Sequence, residues 1–102
     1  MTSSENKKIK SNNSNTRRFP IRNERGLHAR AAAKFVKTAG EFDAQTIVSK
    51  DGQTVSGASI MGLMMLAAGI GSTIEVSANG NDATAALDAL EKLIDDRFGE
   101  EI

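Results

Sequence analysis

Apolar and polar residues alternate in two short segments, 19–21 and 74–78, and this alternation predicts two strands. Two further segments, 46–50 and 53–56, consist of β-prone residues and predict two more strands. Alternation of this kind is typical of a strand with one buried and one exposed face. Pro20 favours a sheet edge for the first strand, because proline cannot donate a ladder hydrogen bond. The Asp51-Gly52 pair between the second and third strands predicts a hairpin.

Three other segments carry apolar residues at helical spacing. The first runs from Ala29 to a stop at Gly40 and has one apolar face, formed by Ala32, Phe35, Val36 and Ala39. The second is short and almost wholly apolar, follows Ser59 as a capping residue, and is predicted to end near Gly69. The third lies between Asp82 and Gly99 and repeats Ala83, Ala86, Leu87, Leu90 and Ile94.

The predicted order of elements is β-α-β-β-α-β-α, and amphipathic helices need a sheet face to cover. The sequence therefore predicts an α+β open-faced sandwich. A chain of 102 residues supports one such domain, which we place at 16–102. Residues 1–15 are mostly Ser, Asn, Lys and Glu, so we expect them to form a disordered polar tail.

The composition narrows the classes of function. The 13 basic residues balance 13 acidic residues, which argues against a nucleic-acid partner. One His and no Cys cannot build a His- or Cys-based metal cluster, so we expect no metal and no cofactor. No apolar run reaches the roughly 20 residues that span a bilayer, and we expect a cytoplasmic protein without membrane insertion.

The only histidine, His28, lies where an irregular loop meets the first predicted helix. A helix N-terminus favours a bound or transferred phosphate and disfavours a charged imidazole, so a neutral ring nitrogen could attack phosphorus there. Arg30 could stabilise the phosphoryl oxygens, and Gly26 permits close backbone approach. Taken alone, a loop histidine near an arginine is more often an exposed residue without a functional role than an active-site residue.

The second predicted helix is too apolar to be buried on every side in a small domain. Its apolar residues are Ile60, Met61, Leu63, Met64, Met65 and Leu66. Adaptable methionines on an exposed patch suit docking to several partners. A helix tightly covered by the core is the alternative interpretation.

Three segments taken together resemble the histidine-containing phosphocarrier family, HPr, of the bacterial phosphotransferase system. They are Gly26-Leu27-His28-Ala29-Arg30, Asp51-Gly52 with Thr54-Val55, and Ser59-Ile60-Met61-Gly62-Leu63-Met64. The resemblance extends from about Arg17 to Phe98, and two motifs at matching separation are more specific than either alone. It implies an open-faced β-sandwich whose four-stranded antiparallel sheet is covered on one face by three helices.

The resemblance also implies the function. His28 would accept a phosphoryl group at its pros nitrogen, Nδ1, from enzyme I and pass it to a IIA-type domain, so the protein would be a stoichiometric carrier and not an enzyme. Arg30 matches the family's active-site arginine, and Ser59 matches the serine that HPr kinase/phosphatase phosphorylates in many bacteria. We expect a monomer that contacts its partners through Leu27, Lys34, Lys37, Ile60, Met61 and Met64.

One position departs from the family pattern, because Ala31 stands where HPr proteins usually carry proline. Alanine permits the same helical turn with slightly less rigidity, so we expect the carrier function to be altered in degree but not lost. Both the sugar-transport branch and the nitrogen-related branch of the phosphotransferase system stay open as alternatives. A regulatory docking protein that relays no phosphate is the alternative function. An RNA-binding domain that uses the tail with Lys34 and Lys37 is a third, and it lacks an aromatic stacking platform.

Overall fold

The computed structural model describes residues 14–102. The strands are β1 (Ser14–Pro20), β2 (Gln45–Lys50), β3 (Gln53–Ser56) and β4 (Thr73–Asn79). The helices are α1 (Ala29–Ala39), α2 (Ile60–Met65) and α3 (Ala83–Asp95), and a short 3-10 turn, Arg97–Gly99, follows α3. The predicted tail, 1–15, lies outside the described residues except for Ser14 and Asn15, which belong to β1.

The four strands form one antiparallel sheet in the order β1-β4-β2-β3. β2 and β3 form the predicted hairpin, in which Asp51 and Gly52 have φ values of 51° and 84°. β1 lies at a sheet edge and pairs with β4 along its whole length. Ile21, predicted within the first strand, follows β1 but is still only 2% exposed. The predicted α+β fold and its order of elements are confirmed.

The helices cover one face of the sheet, as amphipathic helices require. α3 packs against β1 and β4, and α1 contacts both α2 and α3. The core between these layers contains Phe19, Phe35, Val48, Leu63, Ile74, Val76, Leu87, Leu90 and Ile94. The opposite face of the sheet carries hydroxyl pairs, Thr16 with Ser77 and Ser49 with Thr54, and stays exposed to solvent.

One helix end differs from the prediction, because α2 ends at Met65 and not near Gly69. Ala67 has a φ of 53°, in the left-handed region that ends a helix, and the chain then returns to the core at Ala68. α3 begins directly after Asp82, and the Asp82 carboxylate accepts a hydrogen bond from Asp43 N at 2.8 Å.

Candidate functional site

The loop between β1 and α1 is fixed by backbone contacts before it reaches His28. Gly26 has a φ of +69°, and a Cβ atom there would lie 2.4 Å from Ala68 O, so only glycine fits. Leu27 N donates to the same Ala68 O at 2.9 Å, and the buried Asn23 donates through Nδ2 to Gly26 O at 2.8 Å. The close approach expected at Gly26 is therefore made to the chain segment that follows α2.

His28 is the N-cap residue of α1, as its predicted place at a helix start requires. Its carbonyl oxygen accepts from Ala32 N at 2.8 Å, and its side chain, 23% exposed, makes no capping bond. Ring atom Nε2 lies 2.5 Å from Glu100 Oε2. No hydrogen bond within residues 14–102 engages Nδ1, so a proton on Nε2 leaves Nδ1 with a free lone pair.

Glu100 reaches His28 from the C-terminal segment, 72 positions later in the chain. Its side chain is 14% exposed, and Oε1 accepts from Asn23 Nδ2 at 3.0 Å. Burial raises the pKa of Glu100, but the hydrogen bonds from His28 and Asn23 and the positive charges of His28 and Arg25 outweigh burial and hold this pKa below its ordinary value of 4.5. Glu100 therefore presents a carboxylate to the imidazole at neutral pH.

Cationic groups lie at the same end of the molecule. Arg25 and Arg30 line an open cleft of about 310 Å³ with Glu100, Glu101 and Ile102. Both arginines are exposed, and within the described part of the chain neither forms an ion pair. The first turn of α1 carries no acidic residue. Two guanidinium groups and the first N–H groups of α1 are thus available to the oxygens of a phosphoryl group.

No group of three His or acidic side chains in 14–102 is arranged to hold a metal ion. None of the helices in this range combines the length and apolar character needed to cross a bilayer.

A second candidate region, which we name the α2 surface, lies beside the His28 loop. It consists of Ile60, Met61, Met64, Met65 and Ile70, whose exposed fractions are 40%, 70%, 40%, 69% and 60%. Leu63 and Leu66 of the same segment are buried, so α2 has one face in the core and one in solvent. Ser59 Oγ accepts from Gly62 N at 2.9 Å, which confirms the predicted cap.

One of the predicted partner-contacting residues is placed differently from the expectation. Leu27 is only 5% exposed because its side chain belongs to the core, so it does not face a partner. Lys34 is half-buried and its Nζ donates to Phe98 O at 2.6 Å, so its contact with a partner stays a prediction for the remaining N–H groups. Lys37 is exposed on α1, and its contact with a partner stays a prediction.

Sequence reasoning missed Asn23 and Glu100. Both are polar residues outside any motif, and one comes from each end of the domain. Their pairing depends on how the segment after α3 folds back, which no periodicity encodes. The single local signal in the sequence is the position of Asn23 between the first strand and the histidine motif.

Known proteins are similar to this chain in sequence and in fold. The family model described as PTS HPr component phosphorylation site matches residues 15–96. The chain belongs to the HPr family. The phosphocarrier protein HPr of Cupriavidus necator is 54% identical over 80 residues, which are 78% of this chain and 90% of that protein. The phosphocarrier protein NPr of Shewanella violacea is 46% identical over 84 residues, with 82% of this chain and 92% of that protein covered.

Solved structures of HPr proteins have the same fold. HPr-C-His of Thermoanaerobacter tengcongensis aligns with a TM-score of 0.82 at 44% identity, covering 86% of this chain and 99% of that chain. An HPr dimer from the same organism aligns with a TM-score of 0.68 at 46% identity, covering 80% of this chain and 94% of that chain. This HPr-family chain is therefore a phosphocarrier of the phosphotransferase system.

The departure at Ala31 is compatible with the HPr fold. Ala31 is the third residue of α1 and is fully buried. The first helical hydrogen bond is donated by Ala32, so the N–H of Ala31 has no acceptor within the helix. Proline at this position would lose no helical bond, and alanine keeps the same turn.

Proposed function

We propose that His28 Nδ1 accepts a phosphoryl group from enzyme I and passes it to a IIA-type domain. The contact of Nε2 with Glu100 at 2.5 Å is the observation that carries this assignment, since it leaves Nδ1 as the ring nitrogen with a free lone pair. The proposal makes the protein a stoichiometric carrier, because each phosphorylated molecule needs a second protein to reset it.

The step that loads the carrier is an exchange of one bond at phosphorus. The lone pair of His28 Nδ1 attacks, a new N–P bond forms, and the bond between phosphorus and the donor breaks with its electron pair returning to the donor. The proton on Nε2 stays in place, and the Glu100 carboxylate offsets the positive charge that the ring gains. Arg30 and Arg25 supply guanidinium groups for the equatorial oxygens.

We further propose that the α2 surface docks enzyme I and the acceptor domain. It is apolar, exposed and joined to the His28 loop by the hydrogen bond from Leu27 N to Ala68 O. Ile60, Met61 and Met64 are the residues expected to make this contact, and Lys37 lies on the neighbouring helix. Phosphorylation of Ser59 by an HPr kinase/phosphatase would add charge beside this surface and weaken docking.

We also propose that the protein is a monomer. The two edge strands are poor templates for pairing with a second copy, since β1 ends in Pro20 and β3 has only 4 residues. One similar solved structure is described as an HPr dimer, so sedimentation at several concentrations is the direct check.

Incubation with enzyme I and phosphoenolpyruvate, followed by intact-mass measurement, tests the carrier assignment. We expect the parent to gain the mass of one acid-labile phosphoryl group and His28→Ala to gain none while keeping its fold. Arg30→Ala should slow labelling by roughly a hundredfold, because a charge-stabilising donor is lost. Arg18→Ala is the matched control, since Arg18 is an exposed arginine on the edge strand β1.

Labelling of His28→Ala at the parent's rate would reject His28 as the acceptor. An unlabelled parent that still binds enzyme I through the α2 surface would favour the alternative function, a docking protein without phosphoryl relay. Equal labelling rates for Arg30→Ala and Arg18→Ala would remove Arg30 from the transfer step.

A further inference from the structure

We infer that Asn23 and Glu100 act as a positioning pair that holds the His28 ring with its proton on Nε2. The inference rests on the proposed function, in which Nδ1 takes the phosphoryl group. Glu100 and Asn23 touch neither the phosphorus nor its oxygens in this account. They act through the imidazole.

The three side chains form one connected chain of hydrogen bonds. His28 Nε2 meets Glu100 Oε2 at 2.5 Å, and Glu100 Oε1 accepts from Asn23 Nδ2 at 3.0 Å. Asn23 Nδ2 also donates to Gly26 O at 2.8 Å, so the same amide holds the loop that leads into His28. Asn23 is fully buried, which leaves its amide group little freedom to turn.

The segment that carries Glu100 is anchored at two points besides the imidazole. Phe98 is fully buried, and its carbonyl oxygen accepts from Lys34 Nζ at 2.6 Å. Ile102 O accepts from Glu24 N at 3.0 Å. Arg97 and Phe98 have φ values of 54° and 55°, a region that L side chains occupy only where surrounding contacts hold them. The carboxylate is therefore placed by the fold and not by a flexible surface side chain.

Fixing the proton on Nε2 serves both directions of transfer. A neutral imidazole exists as two tautomers, and only the form with hydrogen on Nε2 has its lone pair on Nδ1. When Nδ1 bonds to phosphorus, the ring becomes cationic and the adjacent carboxylate offsets that charge. When the N–P bond breaks toward the acceptor, its electron pair returns to Nδ1 and the ring is again neutral with hydrogen on Nε2.

Proton and nitrogen NMR of the unphosphorylated protein is a direct test, because His28 is the only imidazole in the chain. At about pH 9, where an ordinary imidazole is neutral, we expect the parent to show a slowly exchanging Nε2–H signal and a single tautomer. Glu100→Gln should lose that signal and show a mixture of tautomers, because a neutral amide oxygen accepts from Nε2–H less strongly than a carboxylate and the amide NH2 can donate to the other form of the ring.

Three further variants define what the pair contributes. Glu101→Gln removes one neighbouring exposed carboxylate and should keep the parent's Nε2–H signal. Glu100→Asp retains the carboxylate on a shorter side chain and should recover part of the signal. Asn23→Ala should broaden the signal, and its amide spectrum reports separately on whether the domain stays folded.

Kinetics of phosphoryl acceptance then separates positioning from stability. We expect Glu100→Gln to lower kcat roughly tenfold with the KM for the carrier nearly unchanged, since docking uses a different surface. Glu100→Asp should give an intermediate kcat. A Glu100→Gln variant with the parent's Nε2–H signal, or with the parent's kcat, would overturn the inference. A parent that is never labelled at His28 would instead overturn the proposed function. The NMR spectra would still report whether Glu100 and Asn23 hold the proton on Nε2.

Discussion

The His28 end of α1 and the α2 surface are built on opposite principles. At His28, polar groups are partly buried, and the Glu100 carboxylate accepts hydrogen bonds from His28 and Asn23. On the α2 surface, apolar side chains are exposed by 40% to 70%, and the flexible Met61, Met64 and Met65 predominate. The first region fixes one geometry, and the second can adapt to several.

This difference suits the two tasks of a phosphoryl carrier. Transfer to and from a ring nitrogen requires one ring orientation, and misplacing a reacting atom by about 1 Å can cost about a hundredfold in rate. Docking to successive partners instead requires a surface that repacks against different shapes. Substitutions in the first region should therefore change the rate of transfer, and substitutions in the second should change binding.

The largest expected effect separates the two faces of α2. Leu63→Ala should lower the free energy of unfolding by about 2–5 kcal/mol, because Leu63 is fully buried. Met64→Ala should lower it by about 1 kcal/mol or less, because Met64 is 40% exposed. Urea titrations of both variants measure this difference. Equal losses of stability would mean that α2 is a core helix and that no docking face exists.

The second largest effect is expected for Met61→Glu, which should weaken binding to enzyme I. Met61 is 70% exposed, so a carboxylate costs little in the free protein but must be desolvated under a partner. We expect the Kd for enzyme I to rise by roughly tenfold to a hundredfold with an unchanged melting temperature. Ala85→Glu, at an exposed position of α3, is the control. Parent-like binding by Met61→Glu would move the docking site elsewhere, and unfolding would assign Met61 to the core.

Ser59→Asp should also weaken the interaction with enzyme I, by less than Met61→Glu does. Aspartate caps a helix about as well as serine, so the bond to Gly62 N can be kept and stability should hold. The added charge beside the α2 surface should slow phosphoryl transfer from enzyme I by several-fold. Ser59→Ala, which loses the cap without adding charge, should cost about 1 kcal/mol of stability and leave transfer nearly intact. If Ser59→Asp transfers phosphate at the parent's rate while Ser59→Ala still loses stability, Ser59 is a structural cap alone.

The smallest expected effect is on the pH dependence of stability. The pKa of Glu100 is held below its ordinary value of 4.5 in the folded state. Between the folded-state pKa and 4.5, the unfolded chain therefore binds more protons than the folded chain. Glu100 thus contributes stability that is present above about pH 4.5 and is lost as the pH falls through the folded-state pKa. The difference in unfolding free energy between the parent and Glu100→Gln should shrink below this pH. A difference that stays constant with pH would mean that the carboxylate is not stabilised by the fold.

Local patterns determined most of the architecture. Alternation over β4, helical spacing over α3 and the Asp51-Gly52 turn each reflect forces between near neighbours in the chain, and the structure has these elements where they were predicted. The cap at Ser59 is also local, because its acceptor and donor are three residues apart. The position of His28 at a helix start follows from the same kind of signal.

Only the tertiary structure decided what surrounds His28 and which face of α2 is exposed. Glu100 meets His28 across 72 positions because Phe98 is buried and two residues with positive φ turn the chain back, and neither cause has a periodic signature. Leu27 is apolar like Met61, yet the first lies in the core and the second in solvent. Burial depends on which other elements arrive to cover a side chain, and that is a property of long-range packing.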